Sequence, residues 1–373
     1  MKFHPYWVVL PAMFIAGCAS TPSIQTKKVD INNRPSTAKI SRAAEDFEDS
    51  DIEVPAYFDT QGLQDCTFDV SNESDQCPLK RSVIRMYFDD NRVSGRGKGV
   101  DALSEFNNQK MVHMFENQIA GLNRFRIVTR DNIVASEMAV ALSDQGAEVV
   151  AKRAESSKPL FPDYILKIDT VKTAETFYAE YNGQANYTIE MTSSVIDPFT
   201  KEKMSSPNIG KIRVNGTDVR AKTDLVFSEV NGRYYTGFNY EDSENVLSVM
   251  NDMASRGFDL LITRLLSEMP STAQVLGFKG DRLSLDRGRN AGILPNEVMI
   301  IFQYEAGFVE PIGVATVTPS SHSSNGRIIK WKRAEVARKI RQAAKKSIYQ
   351  PSESSKVFAV SVGTPPDFLD SRT

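Results

Sequence analysis

Apolar and polar positions alternate in patterns that predict regular secondary structure from about Arg81 onwards. The runs RSVIRMYFDD, RFRIVTR and PDYILKIDTVKTAE are rich in β-branched and aromatic residues and are predicted to be strands. Between the first two, ALSEFNNQKMVHMFENQIAGL places its apolar residues mostly at helical spacing, which predicts a helix with one buried face. NIVASEMAVALSDQG predicts a shorter helix after the second strand. This part of the chain therefore alternates strand with helix.

Two Asn-Gly pairs predict β-hairpins further along. Asn182-Gly183 joins two strand-like runs, and the second of these alternates Tyr187, Ile189 and Met191 with polar residues. Asn231-Gly232 joins DLVFSEV to RYYTGFNY in the same way. The amphipathic run SENVLSVMNDMASRGFDLLITRLLSEM then predicts a long helix that closes this part of the chain.

The pattern changes at about Ser271. Short β-like runs follow one another closely, with Gly, Asp and Pro between them, which predicts a small barrel. A basic helix, KRAEVARKIRQAAKKSI, comes next, and KVFAVSVGTPPDF reads as a last strand that returns to complete the barrel. We therefore expect a β domain over residues 271–373.

The basic helix is the clearest candidate for a binding surface. It is either a solvated helix face or a site for an acidic partner, a lipid headgroup or a polymer associated with peptidoglycan. The residues that would form such a site are Lys332, Arg333, Arg338, Lys339, Arg341, Lys345 and Lys346.

The N-terminal stretch FIAGCAS, residues 14–20, ends an apolar run that is too short to span a membrane and has the form of a secretory signal peptide. Ile15-Ala16-Gly17-Cys18 resembles the lipobox of bacterial lipoproteins. This resemblance implies a signal peptide over residues 1–17 and a lipid on Cys18; an ordinary signal peptide that contains a cysteine is the alternative. Ala19 stands where Asp would imply the inner membrane, so we expect an outer-membrane lipoprotein that faces the periplasm.

Residues 18–58 are polar, with scattered Ile and Val and no sustained period, and we expect them to form a lipidated flexible linker. Of the three cysteines in the chain, Cys66 and Cys77 remain after Cys18. In an oxidising periplasm they would form one disulfide, with two free buried thiols as the alternative. The net charge of −2 gives no indication of nucleic-acid binding.

Motifs that carry catalytic chemistry are missing from the sequence. It contains no G-x-S-x-G and no HExxH, and its two histidines beyond residue 17, His113 and His322, stand in settings that favour no metal site. The alternating glycines of VSGRGKGVD do not have P-loop spacing. Asp89-Asp90 is a weak candidate for acid–base work on glycans. We expect a non-catalytic protein without cofactor or metal.

The order of elements resembles a known family. GLNRFRIVTRDNI, PDYILKIDTVKTAE and YTIEMTSSVIDPFTKEKM, with Asp197, Thr200 and Glu202, are similar to the domain shared by the curli-secretion lipoprotein CsgG and related envelope proteins. The resemblance covers roughly residues 81–269. It implies a three-layer α/β domain with an anticodon-binding-like fold, which we place at residues 59–270, including the cysteine pair.

The C-terminal part resembles a second family. GDRLSLDRGRNAGILPNEVMIIF, followed by Ile312-Gly313-Val314, is similar to the SH3-like C-terminal domain of the flagellar assembly protein T family, which combines such a barrel with a domain of related anticodon-binding-like fold. The expected fold class is therefore α+β: a flexible lipidated tether, a three-layer α/β domain and a small SH3-like barrel.

Three functions are compatible with this organisation. The first is a periplasmic assembly scaffold, a homo-oligomeric ring component of a flagellar motor or basal body that contacts other proteins of the envelope machine. The second is a CsgG-like secretion lipoprotein, whose hairpins would have to supply membrane-crossing strands of about 9–11 residues. The third is an activator of a peptidoglycan synthase. We favour the scaffold because it uses the anchor, the tether and both folded parts.

Overall fold

The computed structural model describes most of the chain from residue 42 onwards. The lipobox with Cys18, the linker up to residue 41, Asp89-Asp90, the glycine loop and the helix predicted over 132–146 lie outside the described residues, as do both Asn-Gly turns. The described residues are 42–55, 58, 60–66, 77, 79, 81–88, 93–94, 108–128, 162–179, 184–203, 210–220, 226–230, 233–239 and 243–372.

Eight described strands of the first part form one mixed sheet. They are β1 (Val83–Phe88), β2 (Val93–Ser94), β3 (Arg126–Ile127), β4 (Tyr164–Ala179), β5 (Gln184–Ile196), β6 (Lys211–Asn215), β7 (Val226–Val230) and β8 (Arg233–Asn239). The order is β3-β1-β4-β5-β8-β7, with β2 beside β4 and β6 beside β5. Strand β1 is parallel to β3 and β4, whereas β5 to β8 pair in antiparallel fashion.

Both predicted hairpins are present as strand pairs. Strand β4 pairs with β5 from Ile165 opposite Ile196 to Ala179 opposite Gln184, and β7 pairs with β8 up to Val230 opposite Arg233. The alternation in β5 is confirmed as well, because Tyr187, Ile189 and Met191 are buried. These side chains give the sheet one apolar face, which needs a cover.

Helices cover that face. They are α1 (Asn108–Ala120), the single turn α2 (Gly216–Val219) and α3 (Ser243–Glu268). Residues Met111, Phe115 and Ile119 of α1 share one hydrophobic core with α3 and with the sheet. The rings of Phe115 and Phe258 meet edge to face with their centroids 5.3 Å apart, so that α1 and α3 are packed together.

The C-terminal part contains a closed barrel of six strands, in the order β10-β13-β12-β11-β14-β9. The strands are β9 (Thr272–Lys279), β10 (Arg282–Leu285), β11 (Glu297–Glu305), β12 (Phe308–Pro319), β13 (Ser324–Trp331) and β14 (Lys356–Ser361). The last of them pairs with β11 on one side and β9 on the other, as the sequence predicts for a returning strand. The chain is therefore an α+β protein with a small barrel.

A single helix, α4 (Glu335–Lys346), connects β13 to β14 and completes the barrel core. Its apolar residues Ala337, Ile340 and Ala344 are buried in the same cluster as inward-facing residues such as Val275 and Met299. Because apolar residues recur at i, i+3 and i+7 on this helix, its opposite face is left to polar and charged side chains.

A segment from before the sheet covers the outside of the barrel. We call the described residues between 42 and 79 the strap. Strap residues share a buried cluster with outward-facing residues of β11, β12 and β14, and the members from the strap are Ala44, Phe47, Ile52, Leu63, Cys66, Cys77 and Leu79. This contact removes apolar area of both the strap and the barrel from water, which stabilises their association.

The strap corrects two expectations. The second half of the predicted flexible linker, residues 42–55 with Phe58, is packed on the barrel because Phe47 and Ile52 are buried there. The cysteine pair, which we expected to belong to the α/β domain of residues 59–270, is also buried against the barrel. Although these residues precede the sheet in the sequence, they belong to the core of the part that follows it.

Candidate functional site

Helix α4 presents an exposed cationic face, as the sequence predicts. Lys339 pairs with Glu335 at 2.8 Å, and the hydrogen bond and charge of this lysine hold the pKa of Glu335 below its ordinary value. Arg341 lies 3.8 Å from Asp281 and 5.8 Å above the ring of Trp331. The remaining exposed cations of the helix, which have no ion pair with any described residue, are Arg338, Lys345 and Lys346.

Two of the predicted basic residues are not on this helix. Lys332 and Arg333 lie between β13 and α4, where they hold the strap. The Lys332 Nζ donates a hydrogen bond to the Ile52 carbonyl at 2.7 Å, and the Arg333 N–H donates to Asp49 Oδ1 at 2.7 Å. Lys332 therefore precedes the helix rather than lying on it, and its ammonium is engaged within the chain.

An apolar groove lies beside the C-terminal end of α4, since two of its lining residues, Ile348 and Gln350, follow the helix directly. It has a volume of about 630 Å³ and is lined by residues of β9, β10, β13 and the segment after α4. Leu276 and Ile348 line it and are 38% and 62% exposed, so the groove presents apolar surface to solvent. Lys279 and Arg282 add positive charge at its lining.

The groove and the helix are held together by the backbone. The N–H of Gly280, in the turn between β9 and β10, donates to the Ala344 carbonyl of α4 at 2.9 Å, and Tyr349 exchanges backbone hydrogen bonds with Phe278. We call the exposed cations of α4 together with this groove the cationic groove. Its geometry suits a partner segment that carries both acidic and apolar side chains.

The cysteine pair forms the predicted disulfide. Cys66 and Cys77 are bonded, with an S–S distance of 2.04 Å and Cα atoms 4.9 Å apart, and both are buried. The Nζ of Lys356, on β14, donates to the carbonyls of Gln64 at 2.9 Å and Cys66 at 2.7 Å. The disulfide and this lysine together fix the end of the strap to the barrel.

A buried ion pair joins the α/β part to the barrel. Arg124, just before β3, is 5% exposed and Glu297, at the start of β11, is fully buried. The Arg124 Nη2 donates to Glu297 Oε1 at 2.7 Å, and its Nε donates to the Gly292 carbonyl at 2.8 Å. Glu297 also accepts hydrogen bonds from Ser271 Oγ at 2.9 Å and the Leu294 N–H at 2.8 Å. We call this cluster the junction.

The junction leaves no room for a side chain at Gly292. This glycine has a φ of +77°, and a Cβ placed there would lie 2.3 Å from the Arg124 Cα. Glycine is therefore required both for the backbone conformation and for the close approach of the two parts.

The end of the described chain forms a second contact with the α/β part. Arg372 donates to Asp259 Oδ1 on α3 at 2.5 Å and to the Gln118 carbonyl on α1 at 3.1 Å, and Phe368 is buried in the α/β core. Burial raises the pKa of Asp259 above its ordinary value, and the Arg372 guanidinium opposes that rise. We call the described residues after β14 the tail, and these contacts show that it returns from the barrel to the helices of the α/β part.

Neither the junction nor the tail contact was predictable from a local sequence pattern. Arg124 and Glu297 are 173 residues apart, one just before β3 and the other at the start of β11. One local feature is related to the buried surface: Val298 to Phe302 form an unbroken apolar run, which indicates a strand buried on both faces rather than on one.

The described residues hold no group of three His, Cys, Asp or Glu side chains with the geometry of a metal site. His113 lies on α1, and His322 is exposed in the connection between β12 and β13. Within the same described portion, no helix has the length and apolar character that crossing a membrane requires. The candidate functional features are therefore the cationic groove and the junction. No protein-family model matches this sequence, and no curated protein matches it.

Proposed function

We propose that this protein is an outer-membrane lipoprotein of the periplasm that acts as a non-catalytic assembly scaffold, as a ring component of a flagellar motor or basal body. The lipobox-like sequence at Cys18 supports the anchor. In this proposal the sheet with its helices is the anticodon-binding-like domain and the six-stranded barrel is the SH3-like domain of the two families that the sequence resembles. The combination of these two parts supports the flagellar assignment.

The observation that carries the proposal is the cationic groove. It combines exposed apolar residues, Leu276 and Ile348, with three exposed cations of α4 that have no ion pair among the described residues. Charge complementarity selects its occupant, which we take to be a segment of another envelope protein with acidic and apolar side chains. Apolar contacts would supply affinity, and the surrounding charges would orient the segment.

A scaffold must hold its binding partners at fixed positions relative to one another, and the junction supports that role. The Arg124–Glu297 pair and the tail contact at Arg372 link the α/β part to the barrel through buried or half-buried charges. A partner bound at the cationic groove would therefore be held at a fixed orientation to the sheet. A flexible connection between the two parts would not provide this.

The lengths of β7 and β8 and the strand pairing of β4 and β5 favour a scaffold over a pore. Strands β7 and β8 have five and seven residues, fewer than the nine or so that a membrane-crossing strand requires. The inner portion of the longer β4–β5 hairpin is occupied by β1 on one side and β6 on the other. We therefore place the secretion-pore function behind the scaffold.

The test is cryo-electron tomography of cells that lack the gene and of cells complemented with variants. We expect loss of a periplasmic density around the motor and reduced swimming without the gene, and restoration by the unmodified chain. Lys345→Glu with Lys346→Glu should fail to restore either property, because it reverses two charges of the cationic groove.

The matched control is Lys201→Glu with Arg289→Glu, which reverses two exposed charges in parts of the chain distant in sequence from α4. This variant should restore both density and swimming. Unaltered motors and normal swimming in cells without the gene would contradict the flagellar assignment. Equal failure of both double variants at normal protein levels would contradict the role of the cationic groove.

A further inference from the structure

The hairpin that joins β11 to β12 ends beside an exposed aromatic residue. Glu305 is paired with Phe308 across a two-residue turn of Ala306 and Gly307, whose φ values are +50° and +89°. Positive φ at both central positions is typical of a type I′ turn, whose twist matches that of the two strands. Phe308 is 74% exposed. The hairpin therefore presents a large apolar side chain to solvent from a regular turn.

Two acidic side chains flank Phe308. Glu305 lies opposite it on the hairpin, Glu310 follows it by two positions, and both glutamates are exposed. Glu305 accepts a hydrogen bond from Gln303 Nε2 at 2.8 Å, and neither glutamate forms an ion pair with any residue that the structure describes. We call Glu305, Phe308 and Glu310 the hairpin tip. It carries acidic and apolar side chains together, which are the two kinds that suit the cationic groove.

The groove offers the complementary set of side chains. Leu276 and Ile348 present apolar surface, and the volume of about 630 Å³ is large enough for an aromatic ring. Lys279 and Arg282 line the groove and are exposed, and within the described part of the chain neither has an ion pair. An apolar anchor with acidic neighbours therefore matches this surface in both shape and charge.

The hairpin tip and the groove lie on opposite sides of the same barrel. In the closed strand order, β14 separates β11 from β9, and β13 separates β12 from β10. Since β14 is antiparallel to both β9 and β11, the hairpin tip and the β9–β10 turn are at the same end of the barrel. Phe308 does not line the groove of its own chain, and its exposure leaves it free to enter another.

We propose that the cationic groove binds the hairpin tip of a second copy of this chain. The proposal rests on the proposed function, since that function assigns an acidic and apolar segment to the groove. Phe308 of one copy packs against Leu276 and Ile348 of the next, and the two glutamates face the groove cations. Because the two surfaces differ, each copy binds one neighbour through its tip and another through its groove. Such a head-to-tail interface forms a ring when the rotation between copies closes.

The test is sedimentation velocity of the full chain over a range of concentrations. We expect the unmodified chain to associate as its concentration rises, and Phe308→Ser to weaken this association by about tenfold or more, because it removes the apolar anchor. The matched control is Phe199→Ser, which changes an aromatic residue that is also 74% exposed but lies in the turn after β5. This control should associate as the unmodified chain does.

A mixture of two defective variants tests the head-to-tail arrangement. Phe308→Ser damages the tip and leaves the groove intact, whereas Lys279→Glu with Arg282→Glu damages the groove and leaves the tip intact. Each variant should remain monomeric at concentrations where the unmodified chain associates. An equal mixture should form a dimer with one copy of each variant and grow no further, because the dimer retains no free intact tip or groove.

Three results would overturn the proposal: an unmodified chain that stays monomeric, association of Phe308→Ser equal to that of the unmodified chain, or a mixture that forms no dimer. The tomography and swimming assays separate these results from a failure of the proposed function. If Phe308→Ser restores the motor density and Lys345→Glu with Lys346→Glu does not, the groove has a different occupant and the scaffold function stands. Association through the tip with unaltered motors would support this contact and contradict the flagellar assignment.

Discussion

Glu297→Gln should destabilise the protein more than any other conservative substitution at the junction. The Glu297 carboxylate is fully buried and accepts hydrogen bonds from Arg124 at 2.7 Å, Ser271 at 2.9 Å and the Leu294 N–H at 2.8 Å. Glutamine retains the volume of glutamate, so no cavity forms. The loss arises because the Arg124 guanidinium remains buried without its counter-charge.

The expected loss in the free energy of unfolding is large for a substitution that replaces one oxygen atom with an amide nitrogen. Breaking a buried ion pair by removing one partner costs about 3–5 kcal/mol. The free energy of unfolding of a typical protein is about 5–15 kcal/mol. Glu297→Gln should therefore remove a third or more of the stability, whereas Arg124→Met with Glu297→Gln should recover part of it, because no unpaired charge then remains.

The assay is urea unfolding of the full chain, followed by two probes. Trp331 packs against Phe278 in the barrel, and the only other tryptophan is Trp7, so fluorescence reports mainly the barrel. Far-ultraviolet circular dichroism reports mainly the helices of the α/β part. The two transitions should coincide in the unmodified chain and separate in Glu297→Gln, because the junction couples the two parts.

Two results would refute this reasoning. One is a loss of less than about 1 kcal/mol in Glu297→Gln, with both transitions still coincident. The other is a double variant as unstable as Glu297→Gln alone, which would mean that the unpaired guanidinium is not the source of the loss.

Three further predictions follow from the buried residues. Cys66→Ser with Cys77→Ser should lower the free energy of unfolding by about 3 kcal/mol, from the entropy of the 11-residue loop, with dithiothreitol treatment of the unmodified chain lowering it equally. Gln274→Met should raise the free energy of unfolding, measured with urea, by about 1 kcal/mol, because neither atom of the buried side-chain amide has a hydrogen-bond partner. A lower free energy of unfolding would contradict this. Because burial raises the pKa of Asp259 above its ordinary value of 3.8, the stability that its protonated carboxyl supplies falls as pH rises above 3.8. The free energy of unfolding of Asp259→Asn should therefore rise relative to that of the unmodified chain as pH increases from 3.8, and a constant difference would exclude this.

Local signals made much of the fold predictable. Asn182-Gly183 and Asn231-Gly232 predict that β4 pairs with β5 and β7 with β8, because an Asn-Gly pair between two strand-like runs favours a hairpin turn. Helix α3 follows from its apolar periodicity alone. The return of β14 to the barrel and the disulfide were also predicted, each from a short stretch of sequence.

The strap could not be predicted in the same way. Phe47 and Ile52 have no helical or strand period, because each residue fits a separate site on the barrel rather than one continuous face. Their partners, such as Val298 and Phe358, lie about 250 to 310 positions later in the chain. Only the double-sided apolar run of β11 indicated that something covers the barrel, and it did not indicate what.

The basic helix also combines features that the local sequence predicts with features that only tertiary contacts determine. The sequence pattern correctly placed Arg338, Lys345 and Lys346 on the exposed face of a helix, because the apolar residues recur at helical spacing and form the opposite, buried face. It could not separate them from Lys332, whose role is set by the Ile52 carbonyl. Charge density along the sequence identifies cations, but the tertiary contacts decide which of them face solvent.

The strap also determines the order in which the protein can form. The strap is synthesised before its binding surface, which is complete only when β14, near the other end of the chain, has joined the barrel. The loop closed by this contact is nearly as long as the folded chain itself, and such long-range contacts slow folding. Until then Val298, Ile300 and Phe302 stand exposed. A chaperone that shields this surface before β14 joins the barrel would therefore protect the chain at its most aggregation-prone stage.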